Sequence, residues 1–261
     1  MSGERVCILA DAPALAEAAA ELVVASACAA VEARGRFDLC TTGGSTPAAL
    51  YAALRMPERS SRMPWQATHV WFGDDRLVPR HDTRSNLAPV DAVLLAPGPD
   101  GSPSPMPADA VHPWPTGADS GDRAVAGYLA ELSGSGLIGA AGSQPVFDLV
   151  LLGVGGDGHC LSVFPGSPLA QADAPVAAAV PAPTHIEPHV ARLSFSLGVL
   201  RSARSVCVLA PGAAKAEILA RVLDGGVDLA GGIGELPARA ARIATATWLL
   251  DRESAARITA R

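Results

Sequence analysis

The chain has little aromatic character: Phe, Trp and Tyr make up 4% of its 261 residues. It holds a single lysine, Lys215, among 20 basic side chains, and no surplus of positive charge, since 26 acidic residues leave it at −6. That balance gives no electrostatic reason to expect nucleic acid or an anionic membrane as partner. Positive charge meant for an anionic ligand would have to be local. Paired cysteines are also missing. The five present (Cys7, Cys28, Cys40, Cys160 and Cys207) are odd in number, scattered and without C-x-x-C spacing. This argues against a disulfide framework or a zinc site and for reduced thiols in a cytoplasm. No apolar leader is expected either, because "MSGERVCILADAP" carries charges where one would be apolar. The most apolar stretch, "ALAEAAAELVVASACAAVEA", is interrupted by Glu17, Glu21 and Glu32 at helical spacing. The expectation is an amphipathic helix of a soluble protein and not a membrane span.

What is there is a globular composition, 49% hydrophobic and 18% charged. The length suits one large α/β domain, and residues 1–261 are taken as that single domain, without internal repeats. Asp11 can cap a helix with Pro13 in its first turn, and Gly35 can end it. "RFDLCTTGG" reads as a buried strand running into glycines. "STPAALYAALRM" reads as a helix capped by Ser45 or Thr46, with Pro47 near its start. "THVWFGDD" is a strand and "SNLAPVDAVLLA" a helix. Residues 96–120 hold 7 of the 22 prolines and form an irregular excursion. "DRAVAGYLAELSG" is a helix, "PVFDLVLLGVGG" the clearest strand, and "HVARLSFS" and "SVCVLA" are further strands, each followed by a helix. "ARIATATWLL" is a late strand or mixed segment, and "DRESAARITA" a closing helix. Strands alternating with helices predict an α/β fold with a mostly parallel sheet covered by helices on both faces. Ligands of such sheets gather at the carboxyl ends of the strands.

Three loops at such ends bear chemistry. In "TTGGSTP", Gly43 and Gly44 let the backbone approach a ligand. The first turn of the following helix offers free N–H groups to an anion, and Ser45 and Thr46 add hydroxyls. The loop lacks the Gly-Lys-Ser/Thr ending of a Walker loop and the Gly-x-Gly-x-x-Gly dinucleotide fingerprint. An ordinary glycine turn with a helix cap would give the same letters. In "WFGDDRLVPRHDTRSN", Arg76 follows two acids. Its guanidinium suits an anionic or carbonyl oxygen, with Asp74 or Asp75 to position it. A solvated charged turn is the other reading. In "LGVGGDGHCLSVFPGS", four glycines surround Asp157 and His159. An imidazole titrates near neutrality, and a carboxylate two residues away can hold one ring nitrogen and leave the other for proton transfer. Cys160 is a weaker nucleophile candidate, since no separate base is evident beside it. The other histidines (69, 81, 112, 185 and 189) read as surface residues. Lys215 follows a strand end and is a candidate phosphate contact.

With these residues in place, the sequence resembles the 6-phosphogluconolactonase family. "TTGGSTP", "WFGDDRLVP…SN" and "GVGGDGHCLSVFPGS" resemble its three signature stretches in order. "ARLSFSLGVLRSARSVCVLAPGAAK" and "LPARAA" resemble later segments, so the likeness runs from about residue 10 to the C-terminus. The resemblance implies hydrolysis of 6-phosphogluconolactone to 6-phosphogluconate in the pentose phosphate pathway. It also implies a Rossmann-like core shared with glucosamine-6-phosphate deaminase and ribose-5-phosphate isomerase, and no metal or organic cofactor. By position, His159 would be the acid/base with Asp157 its neighbour. Gly43, Gly44, Ser45 and Thr46 would line the ligand site, and Arg76, Arg192 and Lys215 would be its cationic contacts. Asp74, Asn86 and Gly156 would complete the substrate-binding set. Departures are Asp75 where the family usually has Glu, Cys160 for Thr and Thr42 for Ser.

The expected partner is the small-molecule substrate alone, with the protein a monomer or weak homodimer. Two alternatives stay open. A deaminase–isomerase of amino sugar phosphates would carry an Asn-Glu-Pro continuation where this chain reads "SVFPGS", and a Tyr at Arg76. A non-catalytic sugar-phosphate effector domain would need a DNA-binding module, for which no segment is spare.

Overall fold

The structure, a computed structural model, describes residues 3–140, 142–224 and 232–259. Its centre is a seven-stranded parallel sheet ordered β1-β10-β9-β6-β2-β3-β5. The strands are β1 (Arg5–Leu9), β2 (Phe37–Thr41), β3 (Thr68–Phe72), β5 (Val111–His112), β6 (Leu149–Gly153), β9 (Val206–Ala210) and β10 (Ala246–Asp251). Every residue of β2 and β9 is buried. Successive side chains of a strand point to opposite faces, so both faces of this sheet are covered, as the apolar strand sequences predict.

The first helix, α1 (Ala12–Arg34), begins as its sequence dictates: the Asp11 side chain accepts from the Ala14 N–H at 2.9 Å, and Gly35 ends it in the left-handed region at φ 75°. By length and apolarity alone α1 could cross a bilayer. Here Leu15, Ala19, Val23, Val24 and Ala27 pack into the core instead, and Glu17 and Glu21 on its outer side pair with Arg59 and Arg62. The helix α2 (Ser45–Arg55) differs from expectation, because Gly44 is its N-cap and no side chain caps it. Its first N–H groups are therefore left open.

A second sheet, ordered β4-β8-β7 and antiparallel, stands apart from the first. It comprises β4 (Asp74–Arg76), β7 (Ala177–Val180) and β8 (Arg192–Phe195). The expected strand "THVWFGDD" thus breaks at Gly73. The Gly73 N–H still donates to Thr41 O in the large sheet, while its carbonyl accepts from Phe195 N in the small one. After the single turn α3 (Pro57–Ser60), the helix α4 (Gly121–Gly134) starts at Ser120, whose side chain accepts from Arg123 N. The buried Tyr128 of α4 donates to Phe72 and His112 carbonyls and accepts from Phe72 N, fastening the helix to β3 and β5. The short α5 (Gly198–Ser202) follows β8, and α6 (Ala216–Leu223) follows β9.

Two expected helices are not formed. "SNLAPVDAVLLA" yields one wide turn, Val90–Leu94, around which Arg55 draws the carbonyls of Val93, Leu94 and Ala96 onto its guanidinium. Pro89 also removes a donor there. "DRESAARITA" forms turns over its described residues, with Asp251 and Ser254 bonding each other's backbone in place of a helical ladder.

The strand order places a topological switch between β2 and β6. From β2 the chain proceeds outward to β3; from β6 it proceeds the other way to β9 and β10. At such a point the loops leaving two neighbouring strands diverge and open a crevice.

Candidate active site

A cleft of about 880 Å³ occupies that crevice, within the range of small-molecule sites. It gathers the loops after β2, β3, β6 and β9. Gly43, Gly44, Thr46, Asp74, Arg76, Asn86, Gly156, Asp157, His159, Arg192 and Lys215 all face it. The side chain of Ser45 lies outside the described residues. Three distant sequence stretches thus converge as expected.

Gly155 makes the β6 turn tight. Its N–H donates to the His159 carbonyl at 2.8 Å and its carbonyl accepts from Gly158 at 3.0 Å. This folds His159 back over the turn, so close that a Cβ on Gly155 would lie 2.0 Å from His159 Nδ1. That nitrogen sits 2.5 Å from Asp157 Oδ1, which also accepts from the His159 N–H at 3.1 Å. Burial alone would raise the Asp157 carboxyl. The hydrogen bonds and charge of His159, with a further bond from His185, outweigh it and hold the group well below the usual carboxylate range. An ionised carboxylate only accepts, so Nδ1 carries the proton and Nε2 of the neutral ring keeps its lone pair in the cleft. The ring rests against Phe164, with centroids 4.8 Å apart.

The facing wall is cationic. In the register of β4 and β8, Arg76 lies directly opposite Arg192. Like charges so placed repel and call for an anion between them. Arg76 Nη1 donates to Arg84 O at 2.6 Å and Arg192 Nη2 to Pro188 O at 3.3 Å. The Nε of each is buried without a partner among the described residues. Lys215 stands between β9 and α6. The loop before it is tethered by the Gly212 N–H to Asp251 at 2.9 and 3.0 Å. Burial lowers the Lys215 ammonium from its ordinary value, opposed by the charge of Asp157.

The two acids beside Arg76 do not orient its guanidinium, contrary to expectation. Asp75, 1% exposed, accepts from the backbone of Arg76 and Asn86 and from Ser85 Oγ. It therefore pins the loop that returns Asn86 to the cleft. Burial raises its carboxyl to about 6 against those three bonds. Asp74 accepts from Ser162 Oγ at 2.6 Å and from Asn86 Nδ2 at 3.2 Å, tying the β3 and β6 loops together. Asn86 in turn packs where a Cβ on Gly43 would sit, 1.7 Å from its Oδ1, and that buried oxygen has no partner among the described residues. Cys160 is fully buried, and burial, then the charges of Asp74 and Asp157, push its thiol well above its ordinary value. It is no thiolate nucleophile.

Sequence reasoning missed Ser85, Ser162, Phe164 and above all His185, which was read as a surface residue. Its Nε2 lies 3.0 Å from Asp157 Oδ2. Nothing in the spacing of "APTHIEPH" announces that contact.

An α/β sheet with a cationic cleft at its switch point and a carboxylate–imidazole pair on the rim defines a class: a binding fold for a small anionic substrate with acid–base chemistry at hand. The comparisons narrow it. A family profile described as glucosamine-6-phosphate isomerases/6-phosphogluconolactonase matches residues 10–249, and the chain belongs to that family. It is 33% identical to a 6-phosphogluconolactonase of Streptomyces coelicolor over 95% of this chain and 92% of that one. It is 31% identical to one from Mycobacterium tuberculosis over 96% and 97%. Among solved structures, it is similar to 6-phosphogluconolactonase from Trypanosoma cruzi, with a TM-score of 0.81, 26% identity and coverage of 100% and 99%. A monomeric glucosamine-6-phosphate deaminase shares the fold, with a TM-score of 0.77 at 18% identity over 97% and 99%.

Proposed function

We propose that this protein hydrolyses 6-phospho-D-glucono-1,5-lactone to 6-phospho-D-gluconate, the lactonase step of the oxidative pentose phosphate pathway, with His159 as general base and acid. One observation carries the reading: the free Nε2 of a carboxylate-oriented imidazole shares a cleft with three cations, two of which have unpartnered Nε atoms. Full-length relatives that bear the lactonase name support it.

In this scheme the phosphate is held by Arg192, Lys215 and the uncapped N–H groups at the start of α2, where the helix dipole favours an anion. That grip fixes which carbon meets the imidazole. Nε2 takes a proton from water as its oxygen adds to the lactone carbonyl carbon. Negative charge collects on the carbonyl oxygen, where Arg76 or backbone N–H groups of the glycine turn stabilise it. The tetrahedral intermediate collapses, the bond from that carbon to the ring oxygen breaks, and the ring oxygen takes the proton back from Nε2. The new carboxylic acid loses its own proton to solvent. Asp157 keeps the ring in the productive tautomer and stabilises the imidazolium between the two transfers. Proton transfer of this kind contributes roughly 10²–10⁴-fold, enough for an activated ester. The unpaired thiols of Cys40, Cys160 and Cys207 support a reducing, cytoplasmic setting.

The test supplies freshly generated 6-phosphogluconolactone, subtracts spontaneous hydrolysis and follows 6-phosphogluconate through a coupled dehydrogenase. Glucosamine 6-phosphate is run beside it. Rapid formation of 6-phosphogluconate supports the reading; ammonia release from the amino sugar with no lactone turnover replaces it.

A further inference from the structure

The carboxylate that orients His159 has a second imidazole on its other oxygen. Asp157 Oδ1 faces His159 Nδ1 at 2.5 Å and Oδ2 faces His185 Nε2 at 3.0 Å. Residues 181–191, the loop joining β7 to β8, bring His185 there. Both rings lean on the same face-forming side chain: Phe164 lies 4.8 Å from His159 and 5.6 Å from His185, the latter edge-on at 81°. The Arg192 guanidinium stands 5.4 Å from the Phe164 centroid. His185 is half exposed, with 52% of its side chain accessible, so its one polar anchor among the described residues does not serve to fill the core. A half-exposed side chain hydrogen-bonded to the group behind the base is placed to act on that base.

We propose that His185 is a positioning residue for the lactonase reaction: it shares the Asp157 carboxylate with His159, sets the basicity of His159, and ties the 181–191 loop to the dyad. The proposal rests on the reading of His159 as the base. Its physics is direct. A donor on Oδ2 draws charge from the carboxylate and weakens its hold on the His159 imidazolium, making His159 a weaker base. A proton on His185 strengthens that withdrawal and adds repulsion, so the two rings compete for one negative charge. The other charged side chains lining the cleft with His185 are Glu187 on its own loop, Asp74 and Arg76 on β4, Arg192 on β8, and Lys215 after β9. Among the described residues Asp157 alone is hydrogen-bonded to both rings, so the coupling between them runs through its carboxylate.

Two variants separate the hydrogen bond from the proton. His185→Gln keeps an amide donor for Oδ2 but cannot titrate; His185→Leu removes both. Imidazole ¹⁵N resonances are followed against pH, with the His159 signal assigned by its loss in His159→Asn, alongside kcat/KM for the lactone from about pH 5 to 8, the range of imidazole titration. The wild-type His159 curve should show two steps, and His185→Gln a single one. His185→Leu should give a single step moved upward by about half a unit to one unit, the worth of one hydrogen bond. The acid limb of kcat/KM should move up with it. His159 curves that coincide in wild type and His185→Gln overturn the proposal, and that comparison decides even if the leucine variant folds poorly. Equal losses of activity in both variants with no change of curve mean loop packing only, and overturn it as well. Full turnover in His159→Asn would instead sink the role of His159 as base, while the ¹⁵N curves would still decide whether the carboxylate is shared.

Discussion

Replacing Gly155 by Ala adds one methyl group at the point where the dyad has no room. The new Cβ would meet His159 Nδ1 at 2.0 Å, His159 Cε1 at 2.2 Å and Asp157 Oδ1 at 2.8 Å. Ordinary contact begins near 3.5 Å, so the ring must retreat by about 1.5 Å. Retreat away from that Cβ lengthens the 2.5 Å bond to Asp157 to about 3.2–3.5 Å, at the weak limit of hydrogen-bond range. A hydrogen bond to a charged partner is worth about 1.5–3 kcal/mol, and a 1 Å misplacement of a reacting group can cost about 10²-fold in rate. The expected result is a fall in kcat/KM on the order of 10²-fold, measured with the coupled lactone assay. The fold should survive, because the clash is with two side chains at the cleft rim and alanine lowers the entropy of the unfolded chain. Thermal unfolding checks this. Since both changes disable one unit, Gly155→Ala combined with His159→Asn should be no slower than His159→Asn alone. A Gly155→Ala enzyme with wild-type kcat/KM, or a double variant whose losses multiply, would refute the geometry on which the dyad rests.

Two further outcomes follow from the cationic wall and the buried acid. Lys215→Met should raise KM for the phosphorylated lactone by about ten- to a hundredfold, the worth of one charged contact. Turnover of unphosphorylated gluconolactone should stay unchanged, and an equal loss on both substrates would contradict the assignment of Lys215 to the phosphate. Asp75→Asn keeps the three contacts of Asp75, since one oxygen can serve both backbone donors and the amide can donate to Ser85 Oγ. The native carboxyl is raised to about 6, above its unfolded value. Its contribution to stability is therefore full at acid pH and is lost as pH rises through about 6. Against Asp75→Asn, the wild type should lose up to about 3 kcal/mol between pH 4 and 7. Urea unfolding across that range measures it, and a difference independent of pH would contradict it.

The three loops were legible because glycines, an acid and a histidine at the end of an apolar strand have few structural uses. Strand–helix alternation then says that such ends lie on one edge of a sheet. The second sheet was not legible. β4 is Asp-Asp-Arg and β7 is Ala-Ala-Ala-Val, compositions with little strand preference of their own. Pairing with β8, far along the chain, makes them strands. β1 at the sheet edge is five residues long and mostly exposed, too short to show a period. The missing cap on α2 was read as Ser45 or Thr46 because hydroxyls usually fill that role. Here Gly44 takes it, with φ 97°, and the open N–H groups are left to the cleft. His185 was beyond reach, since one side chain on an irregular loop carries no pattern and only the folded hairpin delivers it to Asp157.

The most direct measurement pairs turnover with binding in His159→Asn. The account predicts that lactone hydrolysis above the spontaneous rate falls by about 10² or more, while calorimetry finds 6-phosphogluconate bound nearly as tightly as by the wild type. Undiminished turnover in that variant would contradict it.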